Sequence, residues 1–249
     1  MPKTVLITGA TRGIGQAIAY RFGAMGYNLA LNYASNDNDA LETQQALEKM
    51  GIKPLLLKAD ISKSSDVDTM FDEIIKTYGK IDVLINNAGL NIDRAFIEMT
   101  EEEWDRVIHV NMKGTFLVSQ KAVKQMLLQE TEGIIINIGS STGIGGRING
   151  INYCASKAGI LMMTRCMAKE LGPKIRVNSV IPGFTRTKET EERFHLKTNE
   201  AFELEKRKIP LNRLAEPFEI ANLIEFLVSD KAAYINGQKF IVDGGEYMC

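Results

Sequence analysis

The chain has 249 residues, and α/β folds commonly use about 200–250 residues as a single unit. Hydrophobic residues make up 45% and charged residues 24%, a balance that excludes a largely disordered chain and supports a substantial core. The 30 Lys and Arg against 31 Asp and Glu leave a formal charge of -1, so no global positive field recruits nucleic acid or an anionic membrane.

The first apolar run, residues 5–7, leads into Thr8-Gly9-Ala10-Thr11-Arg12-Gly13-Ile14-Gly15, and Ile14, Ile18 and Phe22 then recur at helical spacing. This predicts a strand, a tight glycine turn and a helix. Such a turn lets backbone N–H groups approach a diphosphate at the helix N-terminus, where the dipole and unpaired donors favour an anion. Further aliphatic runs at 29–31, 55–57, 83–85, 134–138, 177–181 and 240–242 are continuous rather than alternating, as in strands covered on both faces. Between them lie helical periods, clearest at Val67, Met70, Phe71, Ile74, Ile75 and Tyr78, with Ser64 or Ser65 as N-cap and Gly79 as the stop. The alternation predicts one Rossmann-type α/β domain over residues 1–249, a doubly wound parallel sheet of about seven strands with helices on both faces. Residues 184–210 break the rhythm. They are charge-rich, carry Phe184, Phe194, Phe202 and Leu204, and are expected to overhang the ligand crevice as a substrate lid.

No run approaches the ~18–20 apolar residues of a spanning helix, and the opening MPKTVLITGA has no apolar stretch of signal-peptide length. Cys154, Cys166 and Cys249 lack metal-ligand spacing. A soluble cytoplasmic protein without a metal or a membrane partner is expected, with Cys249 an exposed terminal thiol. His109 lies on a helical segment with no matching partner for metal ligation, Trp104, Met162 and Met163 read as packing residues, and His195 lies in the lid segment.

The glycine spacing G-x-x-x-G-x-G, Asn86-Asn87-Ala88-Gly89 after the fourth run, Tyr153-x-x-x-Lys157, Pro182-Gly183 after the sixth run and Asp243-Gly244-Gly245 occur in that order. Together they resemble the classical short-chain dehydrogenase/reductase family along nearly the whole chain. The resemblance implies a nicotinamide-dependent oxidoreductase that interconverts a ketone and a secondary alcohol. It implies cofactor contacts at Gly9, Thr11, Arg12, Gly13, Ile14 and Gly15, at Asn87, Ala88 and Gly89, and at Asp60 and Ile61 beside the adenine. Pro182 and Gly183 would bend under the nicotinamide, with Thr185 and Thr187 near the carboxamide or diphosphate.

An acidic residue about 20 residues past the glycines would favour NAD. The second strand instead ends Leu31-Asn32-Tyr33-Ala34-Ser35, with no carboxylate until Asp37. Arg12 matches a position where NADP-preferring relatives carry a basic residue. NADP(H) is therefore expected, with Arg12, Asn32 and Ser35 around the 2′-phosphate.

Tyr153 and Lys157 are four apart in a segment that reads as helix, which puts both side chains on one face. Reduction of a ketone needs an acid for the forming alkoxide, and a tyrosine pKa near 10 is poorly matched to neutral pH. Lowering it by about three units takes roughly 4 kcal/mol of preferential stabilisation of tyrosinate. Lys157, acting with the positive charge of oxidised nicotinamide in a partly desolvated pocket, is expected to supply it. Ser140 matches the family's catalytic serine, with Ser141 and Thr142 as chemically similar neighbours. Asn111 matches the asparagine that helps carry a proton relay to Lys157; Tyr153 and Lys157 also contact the cofactor in that family.

Within the family the chain resembles 3-oxoacyl-(acyl-carrier-protein) reductases most. The resemblance rests on Asp93, the segment 140–153, and Pro210-Leu211-Asn212-Arg213 followed by Glu219-Ile220-Ala221. It implies a 3-oxoacyl thioester substrate on CoA or an acyl-carrier protein, and a homotetramer built through two helix faces and the C-terminal strand. Two positions depart from the pattern. Gln129-Glu130-Thr131-Glu132 stands where basic residues often dock the acidic carrier, leaving Lys174 and Arg176 to compensate, and Gly150 stands where Gln is common. The departures keep open another ketone, such as a sugar, polyol or steroid. A non-enzymatic nucleotide-binding scaffold is disfavoured by the intact Asn111, Ser140, Tyr153 and Lys157 set.

Overall fold

Every residue of the first strand, β1 (Thr4–Ile7), is buried, and its side chains divide between two cores as the period of two requires. Val5 and Ile7 enter one core and Leu6 the other. Val83 and Ile85 of β4 (Val83–Asn86) face the first core and Leu84 the second. A computed structural model of the protein describes residues 2–194, 196 and 198–248.

The remaining strands are β2 (Asn28–Tyr33), β3 (Leu55–Lys58), β5 (Gly133–Ile138), β6 (Ile175–Pro182) and β7 (Lys239–Val242). All seven pair in parallel in the order β3-β2-β1-β4-β5-β6-β7. Helices α1 (Gly13–Ala24), α2 (Asp37–Lys49) and α10 (Pro217–Val228) bury Phe22, Leu47 and Ile224 in the first core. Helices α3 (Ser64–Tyr78), α5 (Gly114–Leu127) and α7 (Ile151–Leu171) bury Phe71, Met126 and Ala168 in the second. Helix α3 starts on Lys63 with no side-chain cap, so neither Ser64 nor Ser65 takes the expected capping role; Gly79, at φ 75°, ends it.

Register decides where the crevice lies. Ile7 of β1 is level with Leu31 of β2 and Ile85 of β4, and Asn86 is level with Asn137 of β5. The segments leaving β1, β4, β5 and β6 therefore emerge along one edge of the sheet. The strand order reverses beside β1, the topological switch point at which open α/β sheets bind ligands.

Helix α4 (Glu101–Ile108) starts with a capping box between Thr100 and Glu103 and passes through a π-helical turn (His109–Lys113) into α5. The short α6 (Thr142–Gly145) follows β5. The segment after β6 folds into α8 (Lys188–Arg193) and α9 (Asn199–Lys206). Leu196, Ile209 and Leu214, with Phe184 and Phe202, form a small apolar cluster of its own, and the rings of Phe184 and Phe194 meet edge to face at 4.7 Å. His195 and Cys249 lie outside the described residues. Among the described residues no helix is long and apolar enough to cross a membrane.

Candidate active site

The turn after β1 is a cradle shaped by missing side chains. Gly9 has φ +61°, and a Cβ on Gly15 would lie 2.2 Å from the Gly9 carbonyl oxygen. Asn87 braces this turn: its Nδ2 donates to the carbonyls of Thr8 at 3.0 Å and Gly9 at 2.9 Å. Thr8 Oγ1 accepts from the backbone N–H groups of Asn87 and Ala88, both at 3.0 Å. Helix α1 begins behind Arg12 with no side-chain cap and no acidic residue in its first turn. Its first N–H donors and its dipole are thus available to an anion. The cradle fits a dinucleotide diphosphate.

Around the cradle the expected cofactor residues fall into distinct settings. Arg12 is exposed, with its guanidinium 3.5 Å from Glu189, and Ser35 is exposed beyond β2. Asn32 is a correction. Its side chain turns into the sheet and donates to the carbonyls of Leu57 at 3.2 Å and Ala59 at 3.0 Å, so its amide is not presented to a phosphate. Asp60 accepts from Ser62 N and Oγ through one carboxylate oxygen. Ile61 is buried against Gly114, where a Cβ would come within 2.8 Å of it. Ile14 packs partly against the first core, and Thr11 is buried while its carbonyl accepts from Thr43 Oγ1.

At Pro182-Gly183 the chain passes so close to Asp243 that a Cβ on Gly183 would lie 2.4 Å from the Asp243 Cα. Thr185 is buried and its hydroxyl donates to the Gly183 carbonyl at 3.0 Å, so the side chain serves its own turn. Thr187 caps α8, and its Cγ2 would lie 3.2 Å from a Cβ on Gly13. The start of the 184–210 segment thus abuts the glycine turn.

The candidate catalytic side chains converge at the ends of β4 and β5. Helix α7 presents Tyr153 and Lys157 on one face, with the ammonium 5.7 Å from the phenol ring centroid. Lys157 is buried and Nζ donates to the Ile138 carbonyl at 2.8 Å; burial lowers its pKa to about 8. Ser140 acts on the Tyr153 phenol, holding its pKa down, and its Oγ lies 2.9 Å from Thr142 Oγ1. Of the three neighbouring hydroxyl residues, Ser140 is the one that acts on the tyrosine.

Asn111 is buried in the π-helical turn. It accepts from Leu90 N at 2.6 Å and donates to the Leu90 carbonyl at 2.9 Å and Ser156 Oγ at 3.0 Å. Its amide is used to pin the segment after β4. A Cβ on Gly89 would stand at ordinary contact distance, 3.6 Å from Asn111 Oδ1 and 3.7 Å from Lys157 Nζ, which places this glycine beside both side chains.

Burial pushes the Tyr153 phenol above its ordinary value; the Ser140 hydrogen bond and the charges of Arg147 and Arg193 oppose the rise, while Glu189 adds to it. In the protein alone the phenol thus stands higher, and the cations that oppose the rise are two arginines that sequence reasoning passed over. Arg147 lies 5.4 Å from the Tyr153 ring centroid and pairs with Asp93, which also pairs with Arg193 of α8. The available signal was Gly150, whose missing side chain makes room for Arg147: a Cβ there would be 2.6 Å from its Nε.

The candidate carrier-docking cations both hold backbone carbonyls. Lys174 Nζ donates to the carbonyls of Gln129 and Glu130, and Arg176 donates to those of Ile235 and Leu227. Both are spent on the fold.

A glycine cradle at the switch point, beside a serine, a tyrosine and a lysine that can polarise and protonate a carbonyl oxygen, defines an oxidoreductase that works with a nicotinamide cofactor. A family model described as enoyl-(acyl carrier protein) reductase matches residues 9–246. The 3-oxoacyl-(acyl-carrier-protein) reductase FabG of Staphylococcus epidermidis is 41% identical over 249 residues, covering 100% of both chains. The 3beta-hydroxysteroid dehydrogenase 1 of Eggerthella lenta is 38% identical, covering 98% of this chain and 93% of its own. A crystal structure from Agrobacterium tumefaciens, provisionally assigned as a gluconate dehydrogenase, superposes with a TM-score of 0.91 at 30% identity, covering 98% of this chain and 95% of that one. The chain belongs to the short-chain dehydrogenase/reductase family.

Proposed function

We propose that the protein is an NADPH-dependent reductase of 3-oxoacyl thioesters, carried on CoA or an acyl-carrier protein. The observation that carries this reading is the gathering of Ser140, Tyr153 and Lys157 beside the glycine cradle, in a chain 41% identical over its full length to a 3-oxoacyl-(acyl-carrier-protein) reductase. Bound NADPH supplies the hydride. Ser140 orients the carbonyl oxygen by hydrogen bonding, and Tyr153 delivers the proton to the alkoxide as it forms. Lys157, with its pKa near 8, supplies positive charge behind the phenol at neutral pH. Asn111 and the turn it pins hold the neighbouring backbone in register. Preference for NADPH rests on exposed Arg12 and Ser35 at the cradle, with no carboxylate in the second strand's last residues.

The lid reading rests on α8 abutting the glycine turn through Thr187 and on the apolar cluster beneath α9. A cytoplasmic homotetramer is part of the proposal. Phe116 on α5 and Met162 on α7 are exposed, as are Phe226 and Tyr234 near the far edge of the sheet, and such apolar surface suits subunit contacts. Met162, at 55% exposure, is therefore not a core residue. Light scattering tests the assembly.

One observation favours a second reading, a small ketone without a carrier. The turn at Gln129 to Glu132 is acidic, and Lys174 and Arg176 are committed to backbone carbonyls. The deciding experiment compares NADPH oxidation with acetoacetyl-CoA, acetoacetyl carrier protein, simple ketones, keto-sugars and 3-oxosteroids. Thioester turnover well above the rest supports the proposal; turnover confined to free ketones or steroids overturns it.

A further inference from the structure

We propose that Arg147 is a positioning residue for the catalytic phenol: Gly150 leaves the space in which its guanidinium lies against the Tyr153 ring, and Asp93 holds it there. The inference rests on the reading of Tyr153 as proton donor and extends it to a second, permanent cation.

The geometry is specific. The guanidinium carbon is 5.4 Å from the ring centroid, within the range of a cation held over an aromatic face. Arg147 Nη2 donates to Asn91 Oδ1 and Asp93 Oδ1. Arg94 N donates to the Asn149 carbonyl at 2.9 Å, which stitches the segment 146–150 to the segment after β4. The stem of Arg147 fills the place of a side chain at 150, where a Cβ would lie 2.6 Å from Nε and 2.8 Å from Cζ. The second oxygen of Asp93 pairs with Arg193. Two guanidiniums thus share one carboxylate, so positive charge remains beside the phenol, and the clasp ties the lid helix to the catalytic segment.

The charged groups that face Tyr153 are Lys157 from its own helix, Arg147 from the segment before it, and Arg193 and Glu189 from α8. Arg147 and Arg193 pull the phenol's pKa down and Glu189 pushes it up; Glu189 is partly answered by Arg12 at 3.5 Å. Lys157 and Arg147 act over different pH ranges. Lys157 sheds its proton near pH 8, whereas a guanidinium stays charged throughout. Arg147, with Arg193 as a weaker second, therefore continues to favour tyrosinate as pH rises above that point.

The test is the pH dependence of kcat in the alcohol-oxidation direction, where tyrosinate is the base, with the alcohol of whichever ketone the panel shows to be reduced. Arg147→Met is expected to move the rise of kcat to higher pH by on the order of one unit, with KM for the cofactor unchanged, and Arg147→Lys to restore part of the shift. Gly150→Gln should displace the guanidinium and reproduce the shift, yet add nothing in the Arg147→Met background. Ultraviolet titration of tyrosinate, taken as the difference from Tyr153→Phe, should show the same displacement without turnover. An unmoved profile in Arg147→Met, or a Gly150→Gln shift that persists without Arg147, overturns the inference alone. Retained turnover in Tyr153→Phe overturns it together with the reading of the phenol.

Discussion

Replacing Lys157 with Met is expected to abolish turnover and to make the folded protein more stable at neutral pH. The ammonium is buried and its pKa falls from 10.5 to about 8. Below pH 8 the native state holds a charge that the unfolded chain would rather keep in water. At 1.36 kcal/mol per unit, the shift costs about 3 kcal/mol of stability at pH 7. Between about 8 and 10.5 the unfolded chain binds more protons than the native one, so stability rises with pH and the cost shrinks to about 1 kcal/mol or less at pH 10. Methionine has similar length and no charge, but it leaves the Ile138 carbonyl without the 2.8 Å donor, a loss of about 1–2 kcal/mol. The variant should therefore be about 1–2 kcal/mol more stable at pH 7 and no more stable than the parent at pH 10. Urea unfolding of both proteins at the two pH values, at one protomer concentration and without cofactor, measures the difference. A variant less stable than the parent at pH 7, or a difference that ignores pH, would refute the account of a charge buried against its own stability.

Three further substitutions probe the site. Tyr153→Phe removes the proton donor, so kcat should fall by about 100-fold or more while the Kd for NADPH, read by fluorescence titration, stays at the parent value. Arg12→Ala removes an exposed cation at the cradle and should raise KM for NADPH about tenfold, equivalent to about 1.4 kcal/mol, with KM for NADH nearly unchanged; equal effects on both cofactors would remove the 2′-phosphate assignment. Gly15→Ala places a methyl 2.2 Å from the Gly9 carbonyl oxygen, so NADPH binding should be lost in isothermal titration while the circular dichroism spectrum is retained.

The parts of the molecule legible in the sequence are those encoded by spacing. Seven aliphatic runs separated by helical periods become seven parallel strands because a strand covered on both faces must be apolar at every position. Tyr153 and Lys157 share a face because four residues make about one helical turn. Side-chain direction at strand ends is a different matter. Asn32, at the end of β2, could turn outward to a ligand or inward to the sheet. It turns inward because the neighbouring β3 leaves the Leu57 and Ala59 carbonyls within reach of its amide, and a buried carbonyl without a donor is costly. Lys174 and Arg176 are drawn to backbone carbonyls in the same way, although their charges alone suggested a partner.

Arg147 shows why one class of site residue escapes inspection by residue type. An arginine in a loop has an ordinary solvated reading, and nothing about its own identity places it on the catalytic ring. What does so is a side chain that is missing three residues later, together with a carboxylate 54 residues earlier that receives it. Both features are visible as letters, but their meaning requires the turn at 146–150 to bring Gly150 under the arginine stem and the segment after β4 to bring Asp93 to its head. The same dependence separates the two cations: the expected one, Lys157, is buried with its pKa lowered to about 8, so above that pH the positive charge at the tyrosine comes from outside the helix that carries it.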